Sequence, residues 1–454
     1  MTEKQLKWEE IKNRLQKAGL FFLCLLTADI ALSGAGRYIT IGWFSPRILL
    51  TILTLICGLP LFLAEFKKHI KNPAVILLLI FYLYIAMEAV RGRAAGNPPP
   101  VWRSDLMGFA WMGLFPLTLG IIRSREDLQR VLRFLIAGAS VQACLYFIFN
   151  IVFAGIAPQA LPSFIERVWE AQWGSILHVE YNAVRTFGRS SLYMLVACLL
   201  LLGRIMKDEK INRGAAALFV LNFTALFYTY TRSLYLTVFA SLLLAAVWMA
   251  CCHGLKRLLL RMLLLAGCFL AVVLFFDVTL RQGSFQYAVA RCFHRDLHAL
   301  LPLPKTWEDK EQVDMSDITA NSDNTRSNLL AELDERIAAS PLIGHGLGAT
   351  TSYIEGQSEY FYHDMLMRCG VIGLALFAAP FGYILYMFVK GKGLSGRDSE
   401  KGLMIIALIA FWIATYFNPW MNAAMGLTWY SLNLRCAGEL PASAELKGDK
   451  SLDE

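Results

Sequence analysis

The chain has 454 residues, 56% of them hydrophobic and 17% charged, with a mean hydropathy of +0.48. This excludes an ordinary soluble domain, because apolar runs of about 18 or more residues, repeated along a chain, are membrane helices. The net charge of +8 is not evidence for a nucleic-acid partner, since basic residues also set membrane topology and must first be sorted by side.

In chain order, the charged segment Met1–Lys17 reads as an amphipathic helix that leads into the apolar core Gly19–Ile30 and the small residues Ser33, Gly34 and Ala35. A cleavable leader and an uncleaved first span both fit; the length of the charged segment favours the span. Candidate spans lie at 18–35, 47–66, 73–91, 105–122, 131–155, 188–206, 213–231, 233–252, 258–279, 362–390, 401–419 and 422–436, about twelve in all. The short connectors 67–71, 123–133, 204–213, 253–261 and 390–401 are basic, so the positive-inside rule makes them and both termini cytoplasmic. The connectors 36–46, 92–104, 156–187 and 280–361 then face outward. The expected architecture is an all-α polytopic membrane protein. It has an N-terminal transmembrane region over 1–279 with about nine spans, a large, partly helical outer loop over 280–361, C-terminal transmembrane helices over 362–436 and a cytoplasmic tail over 437–454. Of the ten cysteines only Cys292 lies in a large polar loop, so no disulfide framework is expected.

The outward segments carry a second signal. Their basic residues are Arg37, Arg91, Arg93, Arg103, Arg167, Arg185, Arg189, Arg281, Arg291, Arg295, Arg326 and Arg336, against only Lys305 and Lys310. Topology does not require that split. Arginine offers a planar, weakly hydrated fork suited to phosphate and carboxylate; pairing with loop acids and lipid headgroups is the competing explanation for any one of them. Arg185 and Arg189, in VRTFGRSSLYML, share a face if the following helix starts that early, and such a pair suits a diphosphate or anchors headgroups. Arg232, in YTYTRSLYLT, sits at a tight turn between two spans, where a charge is costly unless it faces a polar cavity or snorkels to the surface.

Within the large loop, Gly283–Leu300 reads as an amphipathic helix. Its Cys292, His294 and His298 match no common zinc spacing, so no metal site is expected. Lys305–Asn328 is rich in Asp, Glu, Asn, Ser and Thr and reads as the mobile part of the loop, with helical periodicity returning over Asn328–Ala339 and Arg336 near its end. Pro341, Gly344, Gly346 and Gly348 then make a turn-rich approach to His363 at the start of a span. Arg368, five residues on from His363, points to another face. A neutral imidazole takes a proton from a hydroxyl near its ordinary pKa, and arginines stabilise charge developing on a leaving diphosphate. These residues support sugar transfer from a lipid diphosphate, and equally the binding or movement of such a lipid. No internal repeat points to a transporter, and the main buried acids in the spans, Asp29 and Glu88, lie near span ends.

SPLIGHGLGATTSYI followed by YHDMLMRCGVIGLALF resembles the O-antigen ligase and polymerase superfamily, whose pattern is Pro-x-x-Gly-x-Gly, a His, then Gly-x-x-Gly in the next helix. The matching positions are Pro341, Gly344, Gly346, His363, Gly370 and Gly373, with Asp364 where the family usually has Asn. The resemblance extends to the layout of spans, the large loop and TRSLYLT. It implies a type C-like, inverting, metal-independent glycosyltransferase without cofactor, in the bacterial inner membrane with its active site facing the periplasm. The donor would be an undecaprenyl diphosphate-linked glycan and the acceptor lipid A-core (ligase) or a lipid-linked glycan (polymerase). Membrane lipids are further partners, and nucleic acid is not one. Carried over by residue, His363 would activate the acceptor hydroxyl, Arg232 matches the arginine at the outer end of its span, and Arg185 the one before the earlier span. Arg189 and Arg336 are added as donor-diphosphate residues. A transporter or flippase of lipid-linked sugars is the alternative from another class.

Overall fold

A computed structural model describes residues 3–33, 45–170, 174–178, 182–188, 190–207, 209–293, 315–353, 356, 358–390 and 399–438. Helices dominate: α1 Glu3–Ser33, α2 Pro46–Ala64, α3 Phe66–His69, α4 Pro73–Ala94, α5 Pro99–Ala110, α6 Leu114–Ile121, α7 Arg125–Asn150 and α8 Leu161–Glu170 come first. A hairpin of β1 Gly174–His178 and β2 Val184–Gly188 follows. Then come α9 Ser191–Lys207, α10 Arg213–Phe227, α11 Arg232–His253, α12 Leu255–Leu280, α13 Ser284–Phe293, α14 Met315–Ala339, α15 Phe361–Lys390, α16 Ser399–Thr415 and α17 Ala424–Ala437. Among the described residues, eight helical segments are long and apolar enough to cross a membrane: α1, α2, α4, α5 with α6, α7 with its extension to Ile156, α11, α12 and α15. The chain is a multi-pass, almost wholly helical membrane protein.

The other four expected spans fall on shorter helices, of 17, 15, 17 and 14 residues for α9, α10, α16 and α17. A straight crossing needs about 20 residues. α9 and α17 are buried along nearly their whole length. They form the centre of the bundle, with Tyr193 of α9 donating to Met425 O of α17 at 2.7 Å.

Two sequence expectations need correction. Residues 184–188 are not the start of a helix: β2 pairs antiparallel with β1, Val184 opposite His178 and Gly188 opposite Gly174. The run Val-Arg-Thr-Phe-Gly alternates buried and half-buried side chains, the period of a strand, and α9 begins only at Ser191. Helix α14 likewise starts at Met315, well before Asn328. Its weak helix formers are outweighed by an apolar stripe, Leu329, Leu333 and Ile337, which packs on Ala349, Met367 and Tyr360.

The segment after α14 splices into a break in α15. Gly370 has φ 64° and ψ −172° inside α15, which interrupts the helical ladder and strands two carbonyls before it and two amides after it. The incoming loop takes all four. His345 N donates to Met367 O at 2.8 Å and Gly346 N to Arg368 O at 2.9 Å, while Val371 N donates to Pro341 O at 2.9 Å and Ile372 N to Leu342 O at 3.2 Å. The carbonyl of Cys369 accepts from Tyr84 Oη at 2.6 Å. Inside a membrane protein no backbone group goes unmet cheaply, so break and loop require each other. Gly346, at φ 84°, lies against the backbone of Gly92 on α4, and a methyl group on Gly92 would run into the carbonyl of Leu347. Glycine is required at both positions.

Two buried ion pairs lock this splice to its neighbours. Arg91 holds Glu88 through Nη1, at 2.7 and 2.6 Å from its carboxylate oxygens, and donates to Ile343 O at 2.9 Å and Gly344 O at 2.8 Å. Arg368 pairs with Asp105 of α5 at 2.7 Å, donates to Ala349 O at 3.1 Å, and also bonds Gly356 O. The second oxygen of Asp105 accepts from Gly348 N at 2.9 Å. As its offset from His363 implied, Arg368 serves a neighbouring helix.

Candidate active site

A cavity of about 620 Å³ opens where five segments converge. β2 contributes Arg185 and Phe187, the start of α11 contributes Thr231, Arg232 and Ser233, and α14 contributes Arg326, Ser327 and Leu330. Glu359 and Tyr360 before α15, and Phe417 and Asn418 after α16, complete the wall. Three arginines that are far apart in sequence thus face one space.

Each is placed by local structure. Thr186 N donates to Tyr228 O at 3.2 Å, which docks β2 on the turn before α11. Tyr230 in that turn has a positive φ of 44°, and Thr231 Oγ1 donates to Thr229 O at 3.0 Å. Arg185 reaches Thr229 O at 3.4 Å and lies 6.0 Å from the Phe187 ring, which stacks on Trp420. Arg232, the first residue of α11, is half-buried beside it. Arg326 comes from α14 and binds Glu359 at 2.9 and 2.6 Å through one carboxylate oxygen.

His363 does not line the cavity itself. It lies in the first turn of α15, its ring 5.7 Å from Tyr360, which does line the cavity, and 6.5 Å from Tyr416. Its Nε2 faces Asp334 of α14 at 3.8 Å, while Nδ1 is buried without a hydrogen-bond partner among the described residues. Neighbouring Asp364 turns inward and accepts from Ser358 N at 2.7 Å, closing the turn that delivers Tyr360. Tyr362 fixes the helix start, donating to Trp412 O at 2.6 Å.

Of the residues singled out from sequence, Arg185 and Arg232 meet in this cavity, with His363 behind Tyr360. Arg189 lies outside the described residues. Arg336 is not in the wall: its Nε pairs with Glu332 at 3.1 Å, and its carbonyl meets His345 Nε2 at 2.8 Å. The acceptor end of that pair, Glu332, also takes both the amide and the hydroxyl of Ser352 at 2.6–3.0 Å. Partial burial works to raise its carboxyl, but Ser352 and then Arg336 outweigh that and hold it below its ordinary value. Arg326 was among the outward arginines but was not assigned to the site. The signal was present in the sequence: Arg326, Leu330 and Asp334 recur at i, i+4 and i+8, one face of α14. Among the described residues, no group of His, Cys, Asp and Glu side chains is arranged to hold a metal ion.

Comparison with known families adds to this geometry. Residues 217–378 match the family described as O-antigen ligase. The match supports the resemblance to the O-antigen ligase and polymerase superfamily and, with it, glycan transfer in O-antigen or polysaccharide assembly. No curated protein matches the chain. The ligase-type region contains Arg232, Arg326, Asp334, His363 and the whole glycine splice, whereas Arg185 lies outside it.

Proposed function

We propose that the chain is an inverting, metal-independent glycosyltransferase of the O-antigen ligase or polymerase type. It takes a glycan from an undecaprenyl diphosphate-linked donor at the periplasmic face of the bacterial inner membrane. The acceptor is a hydroxyl of lipid A-core in the ligase reading, or of a second lipid-linked glycan in the polymerase reading. The observation that carries this is the convergence of Arg185, Arg232 and Arg326 on one cavity whose wall residue Tyr360 packs on His363.

The chemistry follows from that arrangement. The acceptor O–H gives its proton to the His363 imidazole as its oxygen bonds to the anomeric carbon. The anomeric carbon–oxygen bond to the diphosphate breaks on the opposite face, and the diphosphate leaves with the electron pair. Three guanidiniums meet the charge that develops there, where preorganised donors act most strongly. About twelve spans, with the loop 280–361 in the periplasm, put this cavity at the membrane surface where a lipid-anchored donor presents its headgroup. Arg185, Arg189, Arg232 and Arg336 were the donor residues expected from sequence; the cavity favours Arg185, Arg232 and Arg326. Transport of the lipid instead would need a polar path through the bilayer. The acids best placed for one, Asp29 and Glu88, are held by Arg47 at 2.7 Å and by Arg91 at 2.6 Å.

The test is reconstitution of the full-length chain in liposomes with an undecaprenyl diphosphate-linked oligosaccharide, with and without lipid A-core. Product only with lipid A-core identifies a ligase, and a ladder of longer lipid-linked glycans without it identifies a polymerase. His363→Ala and Arg232→Ala should each abolish transfer at unchanged membrane level, and EDTA should have no effect. Movement of the lipid between leaflets with no product would overturn the reading in favour of transport.

A further inference from the structure

The face of α14 that carries Arg326 does not end at the cavity wall. Two turns further on, about 12 Å at the helical rise, the same stripe presents Asp334. Its carboxylate is 3.8 Å from Nε2 of His363, and its side chain is 69% exposed against 21% for His363. A separation of 3.8 Å is too long for a hydrogen bond and wide enough for a ligand oxygen to touch both groups. The adjacent face of α14 fixes this stripe, because Leu329 and Leu333 are buried against Ala349 and Met367.

We propose that Asp334 and His363 together form the acceptor end of the site, and that the acceptor is a sugar presenting two neighbouring hydroxyls. This rests on His363 being the base. The reacting hydroxyl donates its proton to Nε2, and the adjacent hydroxyl donates to the Asp334 carboxylate. The negative charge of Asp334 stabilises the imidazolium that forms. The helix thereby sets an anion-seeking end at Arg326 and an anion-rejecting end at Asp334, which orients donor and acceptor relative to each other. The other titratable groups in ring contact with His363 are Tyr360 and Tyr416. On its own helix, Asp364 and Arg368 are turned to Ser358 N and to Asp105.

The experiment uses the full-length chain in liposomes, with the oligosaccharide donor above and whichever acceptor the reconstitution identifies. Asp334→Asn, Asp334→Glu and His363→Ala are compared. A carboxylate beside an imidazole favours its charged form, so removing the charge should slow removal of the acceptor proton. Asp334→Asn should also lower kcat about tenfold or more and raise acceptor KM with donor KM unchanged, and Asp334→Glu should recover part of the loss. Asp334 is exposed, so none of these readouts depends on a folding defect. Unchanged kcat and acceptor KM in Asp334→Asn, with His363→Ala inactive, would overturn the proposal and leave the base assignment standing. A loss of kcat with acceptor KM unchanged and no recovery in Asp334→Glu would also overturn it, as a structural role. Retained transfer by His363→Ala would remove the base assignment itself.

Discussion

Two sets of arginines in this molecule show how one residue type is put to opposite uses. Arg91 and Arg368 are matched to carboxylates that are 0% and 1% exposed, Glu88 and Asp105, and their remaining donors are taken up by loop carbonyls. Arg185, Arg232 and Arg326 come from three separate elements and converge on open space. The first set holds the glycine splice to α4 and α5; the second faces a cavity large enough for a ligand. Arginine-rich outer segments therefore say that guanidiniums are needed, but only burial and partners say whether they serve scaffold or substrate.

The comparison is tested most severely on the scaffold side. Arg368→Ala leaves Asp105 buried without its partner, and losing one member of such a pair costs about 3–5 kcal/mol. The expected outcome is a large loss of folded, membrane-extractable protein, whatever substrate is added. The pair Arg368→Met with Asp105→Asn removes both charges and keeps an oxygen for the Gly348 amide, and should recover much of the yield. A single Arg368→Ala protein with normal yield and thermal stability but no donor binding would move Arg368 to the other set.

On the cavity side the expected signature is reversed. Arg326→Gln should leave yield intact and weaken the donor. A hydrogen bond to a charged group is worth about 1.5–3 kcal/mol, so donor KM should rise about 10- to 100-fold. Glu359 holds the same guanidinium as an internal anion, with side chains 43% and 49% exposed. Such exposed pairs are worth about 0–1 kcal/mol, so Glu359→Gln should lower donor KM by no more than about fivefold. An increase on removing Glu359 would mean that the carboxylate positions Arg326 rather than competing for it.

The sequence made the scaffold easier to read than the site. Long apolar runs fix helices, and the pattern of Gly344, Gly346 and Gly370 marked a special backbone before its purpose was visible; the structure shows that purpose as a loop bonded into a broken helix. The four shorter helices were read as spans from their apolar runs; what the sequence did not announce is that α9 and α17 are buried by neighbours along nearly their whole length. Arg185 was read on a helix because Leu192 to Leu202 is so strongly helical; the five residues of β2 depend on pairing with β1 and on Tyr228 O, which are not local. Arg336 was chosen for its place near the end of α14, yet its i−4 neighbour Glu332 neutralises it. Arg326 and Asp334 were separable from their neighbours only by treating α14 as one helix from Met315, which its polar first half concealed.

The smallest effect expected lies at that Arg336–Glu332 pair, on the scaffold side of α14. Glu332 is held below its ordinary carboxyl value of 4.5, so its contribution is fully present above that pH and is lost as pH falls through the folded value. Acid should therefore loosen the tether from Glu332 to Ser352, at a cost under about 1 kcal/mol. Hydrogen exchange at the Ser352 amide measures this directly, with protection falling as pH drops below the ordinary carboxyl range in the native chain and already low at neutral pH in Glu332→Gln. If Glu332→Gln instead raised donor KM as Arg326→Gln is expected to, the Arg336 guanidinium would have to be counted with the cavity after all, and the division between the two sets would have to be redrawn along α14.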